Sequence, residues 1–168
     1  RVGPVGYWQA YCDTQRSKPA LAKFLIELKK LYPKICIIAH SMGTVLVSET
    51  ICESTFPGDI VWRLAFHGSD ASRRKFEKRA ISEDYMAMSN KILGMRSYWS
   101  ANDLVLRYPA RFMRPARRLG SYPMPDGAPA NFESQNAEDV HRDRVAHSTY
   151  KKSALILAHT ERYLNNGE

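Results

Sequence analysis

Apolar positions along this chain switch between two periods, and the switches mark its elements. Leu21, Phe24, Leu25, Leu28 and Leu31 recur at helical spacing, in a helix that Pro19 opens and Pro33 stops. A short β-rich run, Ile35–Ala39, predicts a strand. A helix from Met42 to about Ser54 follows, with Val45, Leu46 and Ile51 among its apolar positions. Phe56-Pro57-Gly58-Asp59 makes a turn before a second strand at Ile60–Phe66. A charged helical region is expected from Ala71 to about Leu93, broken near Ser82, and then a third strand at Met95–Trp99. Residues 104–130 mix arginine, proline and aromatic residues and predict irregular structure with short helices. A weak fourth strand is expected at Asn131–Gln135. The last helix opens at His147-Ser148, runs to about Leu164 and ends at Asn165-Asn166-Gly167. Strands alternating with helices imply an α/β fold with a doubly wound, mostly parallel sheet.

Composition narrows the class further. At 168 residues, 44% hydrophobic and 25% charged, the chain reads as one globular domain over residues 1–168. No apolar run reaches bilayer-spanning length, and the first residues lack the basic-then-apolar pattern of a signal peptide. Cys12, Cys36 and Cys52 have no paired spacing, so neither a disulfide framework nor a metal site is expected. That favours a reducing, cytoplasmic setting. Cys36 lies in the apolar strand and reads as a small buried hydrophobe. A net charge of +8 suggests acidic partners, yet the basic residues are scattered, notably over Arg73–Arg79 and Arg107–Arg118, and read as solvated faces. No groove-binding or RNA-binding motif is present, so no nucleic-acid partner is expected.

The chemistry concentrates at Ala39-His40-Ser41-Met42-Gly43. A small-x-Ser-x-Gly string alone occurs in roughly one chain in ten of this size. Here a strand runs straight into it and a helix straight out, which is the setting of a nucleophile elbow with Ala39 in place of the first glycine. The turn is expected to be strained and to need small residues at 39 and 43, where side chains would collide with the strand and helix. It would lift the Ser41 hydroxyl clear of the sheet and place the Met42 N–H at a helix N-terminus, as a donor to a developing oxyanion. The competing explanation is an inert serine acting as an N-cap.

A serine nucleophile needs a base and an acid, which in this architecture follow it in the order Ser…Asp…His near the carboxyl ends of strands. Asp103 lies just past the third strand, with Ser100 and Asn102 as polar groups able to hold its carboxylate. Asp70, past the second strand, is its rival, although an N-cap role at Ala71 explains it. Among the histidines, His40 lies in the elbow and must point away from Ser41. His67 ends a strand, His159 falls mid-helix, and His141 and His147 follow the last strand. His147 sits where loop meets helix and is the favoured base, with His141 as its rival. Ser41, Asp103 and His147 would then perform acyl transfer.

These residues make the chain resemble the α/β-hydrolase superfamily, and more narrowly an uncharacterised bacterial esterase/lipase-like branch of unknown function. The likeness rests on the elbow, on Tyr98-Trp99-Ser100-Ala101-Asn102-Asp103, on Ala146-His147-Ser148, on Gly6-Tyr7 and Asp13, and on Ser69-Asp70. The resemblance implies a serine hydrolase acting on a small-molecule ester, without a cofactor. Its rival is a hydrolase-fold binding or scaffold module without activity. The His-Gly-Phe segment that supplies the family's second oxyanion donor has no counterpart here. The chain therefore looks like the C-terminal part of such a domain, lacking its N-terminal strands and open to self-association through an exposed sheet edge. Arg107–Pro125, with Phe112, Met113 and Tyr122 among arginines, offers a weak membrane-surface patch or small lid, against the plainer expectation of a loop packed on the domain.

Overall fold

Four short strands carry the fold among the described residues: β1 (Cys36–His40), β2 (Arg63–His67), β3 (Gly94–Trp99) and β4 (Phe132–Asn136). The computed structural model describes residues 4–73, 83–107 and 117–167. The strands form one parallel sheet in the order β1-β2-β3-β4. Register places Ile37, Leu64, Met95 and Phe132 in one row across it. That row faces the helices α1 (Pro4–Leu31), α2 (Met42–Cys52) and α3 (Glu83–Ser89), whose Leu25, Val47, Ile51 and Met88 complete the larger core. Alternate residues point the other way, where Ala65 and Tyr98 pack with Ala137, Val145, Tyr150, Ile156 and Tyr163. That second layer comes from α5 (Ala137–His141) and α6 (Ala154–Asn166), while α4 (Leu104–Arg107) is a single turn after β3. Helices on both faces of a parallel sheet make the fold doubly wound, as the alternation of elements implies.

Several local expectations change. The first helix does not open at Pro19 but runs through it from Pro4. Pro19 is exposed, so the carbonyl four residues back, which loses its N–H partner, can turn to water. Gln15 and Lys18 then tie α1 to α2 through Glu49 at 2.6 Å and Glu53 at 2.9 Å. The second strand begins at Arg63 rather than Ile60, although Ile60 and Val61 are buried before it. The last helix starts at Ala154, because Ser153 accepts the Ile156 N–H as its N-cap; residues 147–150 form a turn instead. Its end is as expected, with Gly167 at φ 86° returning an N–H to the Tyr163 carbonyl.

Cys36 is exposed, not buried, and so is Ile38 at 51%. Both lie on β1, an edge of the sheet among the described residues, where α6 reaches only far enough for the Leu164 carbonyl to meet the Cys36 thiol at 3.7 Å. The basic residues are not all solvated either. Arg118 is fully buried, and Arg96 lies against Glu133 at 2.7 Å. Residues 117–121 form a strap along the carboxyl ends of β2 and β3, with Arg118 bridged to Ser72 and Leu119 in the core. The rest of the charged stretch, 74–82, and most of the candidate lid, 108–116, lie outside the described residues.

Candidate active site

At the carboxyl end of β1 the chain has no spacer before α2, so one residue must make the whole turn. Ser41 does so at φ 55° and ψ −127°, a conformation that costs a non-glycine residue about 1–3 kcal/mol. Its peptide groups are bound on both sides. The Ser41 N–H donates to the His67 carbonyl at 3.1 Å. Its carbonyl accepts the N–H groups of Thr44 at 3.1 Å and Asp70 at 3.3 Å, and the Thr44 hydroxyl at 2.7 Å. The Ser69 hydroxyl donates in turn to Thr44 Oγ1 at 2.9 Å.

Ser41 makes no side-chain cap to α2, which sets the inert N-cap aside. The Met42 N–H is the first of that helix, has no acceptor within it, and sits at its positive end. The collision expected at position 43 is absent: a Cβ on Gly43 would meet nothing within 4 Å. Ala39, in contrast, is buried at 6% exposure.

The Ser41 hydroxyl reaches His147, with Oγ 2.9 Å from Nε2. On the far side of the ring, His147 Nδ1 lies 2.7 Å from Asp103 Oδ2. A carboxylate only accepts, so Nδ1 carries the proton and Nε2 turns its lone pair to the serine. Asp103 is fully buried, and its other oxygen accepts the Leu106 N–H at 3.3 Å, capping α4. The cap holds one oxygen and leaves the second to the histidine. The His147 side chain stays 15% exposed and Ser41 is half-buried, so solute can reach the line.

Two glycines make room behind it. Gly68 has φ 50°, and a Cβ there would come 2.9 Å from the Tyr150 ring and 3.1 Å from Asp103 Oδ2. Gly120 lets the strap touch the turn after β2, since a Cβ there would lie 2.1 Å from the Ser69 nitrogen. That contact is hydrogen-bonded, from Gly120 N–H to the Ser69 carbonyl at 2.9 Å and from Ser100 N–H to the Gly120 carbonyl at 3.0 Å.

The neighbours expected to hold Asp103 do something else. The Ser100 hydroxyl lies 2.9 Å from both Glu138 Oε1 and the Val145 carbonyl, and the Asn102 amide donates to the same Glu138 oxygen. Both residues therefore tie the acid's loop to α5, and Ser100 ties it also to the loop carrying His147. Asp70 is no N-cap. It is buried in an ion pair with Arg118 at 3.2 Å and accepts the Tyr7 hydroxyl.

The remaining histidines are engaged elsewhere. His141 Nδ1 meets Ser153 Oγ at 2.8 Å, and His159 Nδ1 meets the Tyr98 hydroxyl at 2.8 Å. His67 Nε2 donates to Thr160 Oγ1 at 2.8 Å, because the proton of that hydroxyl is given to the Ile156 carbonyl. Burial, helped by nearby His40, pushes its pKa down to about 4. His40 points away from Ser41 as expected, and its Nε2 donates to the His147 carbonyl at 2.9 Å. Neither the Asp70–Arg118 pair nor the Glu138 link carries a local sequence signal. Among the described residues no group of three or more His, Cys, Asp or Glu is arranged to hold a metal ion.

A family model described as alpha/beta hydrolase of unknown function (DUF900) matches residues 4–166. No curated protein and no solved structure matches the chain.

Proposed function

We propose, from the premise that the chain belongs to the DUF900 family of α/β hydrolases of unknown function, that it is a serine hydrolase of small-molecule carboxylic esters. The observation that carries the proposal is the unbroken hydrogen-bonded line from Ser41 Oγ through His147 to Asp103. In this reading Ser41 Oγ attacks the ester carbonyl carbon as His147 Nε2 takes its proton. The negative charge that develops on the carbonyl oxygen meets the Met42 N–H. Collapse breaks the bond to the alcohol oxygen, and His147 returns the proton to the departing alkoxide. Water then attacks the acyl-serine and gives one proton to His147, and a second collapse releases the acid and restores Ser41. Asp103 keeps the imidazole in the required tautomer and offsets the charge it gains. No step requires a metal or cofactor.

The solvent-reachable line favours short, water-soluble esters. Ser41→Ala should abolish both fluorophosphonate labelling and p-nitrophenyl acetate hydrolysis while the far-ultraviolet circular dichroism stays unchanged. Labelling at full strength in the variant would rule the assignment out. A folded wild-type chain that neither labels nor hydrolyses would favour a binding or scaffold role instead.

A further inference from the structure

We propose that His40, the residue before Ser41, is a positioning residue that fixes the main chain of His147 against the elbow. The inference rests on the roles given above to Ser41 and His147. His147 is not on a regular element. It lies in the turn between α5 and α6, where a loop would ordinarily drift relative to the sheet.

Of the contacts that stiffen this loop or tie it to the sheet, three bear on the main chain near His147. Ser100 Oγ holds the Val145 carbonyl at 2.9 Å, and Thr149 closes a local turn onto Ala146 at 2.9 Å. The third falls on residue 147 itself, where His40 Nε2 donates to the carbonyl at 2.9 Å and the two rings lie 4.6 Å apart at 45°. A carbonyl offers no proton, so His40 must carry one on Nε2. Consecutive residues at the end of β1 thus set both ends of the proposed proton transfer. Ser41 presents the hydroxyl, and His40 holds the backbone of the residue that receives its proton.

His67 shows what this position does without that task. It stands opposite His40 in register on β2, yet its proton goes to Thr160 on α6, away from the elbow. His40 also suits its place electrically. Burial disfavours its charged form, so a neutral ring lies beside the ring that must become an imidazolium.

His40→Leu keeps the bulk and deletes the donor, whereas His40→Gln offers an amide N–H at similar reach. An error of about 1 Å in a reacting group can cost roughly a hundredfold in rate. With p-nitrophenyl acetate, kcat should fall by about that factor in His40→Leu at little-changed KM, and most of it should return in His40→Gln. The downfield proton resonance of the His147–Asp103 hydrogen bond should broaden or vanish in the leucine variant and persist in the glutamine variant. Wild-type kcat and an unchanged resonance in His40→Leu, or equal damage in both variants, would overturn the proposal. If the wild-type chain hydrolyses no ester, the enzymatic reading fails, while the resonance still decides whether His40 positions His147.

Discussion

Asp70 and Asp103 lie one strand apart, each just past the carboxyl end of its strand and each with almost no exposed surface. By sequence position either could be the acid of a serine hydrolase. They differ in their partners. Asp70 faces a guanidinium that is always charged, with a tyrosine hydroxyl on its other oxygen. Its charge is balanced permanently, and its main-chain N–H touches the elbow, at 3.3 Å from the Ser41 carbonyl. Asp103 faces an imidazole, a partner that can gain and lose a proton during a reaction. The turn after β2 therefore suits a brace, and in the proposed function the turn after β3 supplies the acid. A buried carboxylate declares its task by whether its partner's charge can change.

The largest expected effect tests the chemical half of this contrast. In Asp103→Asn the new amide can donate to His147 Nδ1, which favours the wrong tautomer. Ester turnover should fall by about 10⁴-fold with little change in melting temperature. Asp70→Asn should do the reverse. Removing one charge of a buried ion pair is strongly destabilising, and should cost about 3–5 kcal/mol in urea denaturation. Turnover per folded molecule should stay within about tenfold of wild type, since the Asp70 main chain remains. If Asp70→Asn is stable but inactive while Asp103→Asn is active, the two turns have exchanged roles.

The contrast also explains what the sequence could disclose. The elbow was legible because its string, the strand before it and the helix after it are contiguous. That Asp103 and His147 would come together with Ser41 was legible from order, since strand ends in a parallel sheet share one edge. Partners were not. Glu138 captures Ser100 and Asn102 from 38 and 36 residues away, so the polar neighbours of Asp103 serve another carboxylate. Arg118 reaches Asp70 from a segment whose composition suggested a solvated face. Cys36 looked buried because its strand is apolar, but burial depends on which strand ends at the edge of the sheet. Pro19 looked like a helix start, although on an exposed face one missing N–H is tolerated. Local periodicity reports elements, and long-range contacts decide what each side chain does.

A smaller effect should separate the two turns by pH. His67 ends β2, three residues before Asp70, and burial lowers its pKa from 6.5 to about 4. The unfolded chain takes up a proton on this ring below about pH 6.5, while the native state stays neutral until about pH 4. Between those values the unfolded state holds more protons, so stability falls as pH falls through that window. This one ring contributes on the order of 3 kcal/mol of stability, fully present above pH 6.5 and lost as pH falls to about 4. His40 and His159 are also lowered by burial and add losses of the same sign, so the wild-type curve alone does not isolate His67. His67→Gln does, because the amide can still donate to Thr160 but no longer titrates. Urea denaturation from pH 7 to pH 4 should show a visibly flatter decline in that variant. Its ester turnover at pH 7.5 should stay close to wild type, since His67 belongs to the brace. Superimposable stability curves would show that His67 is not held neutral by the fold. A large loss of turnover at unchanged stability would place the end of β2 in the chemistry after all.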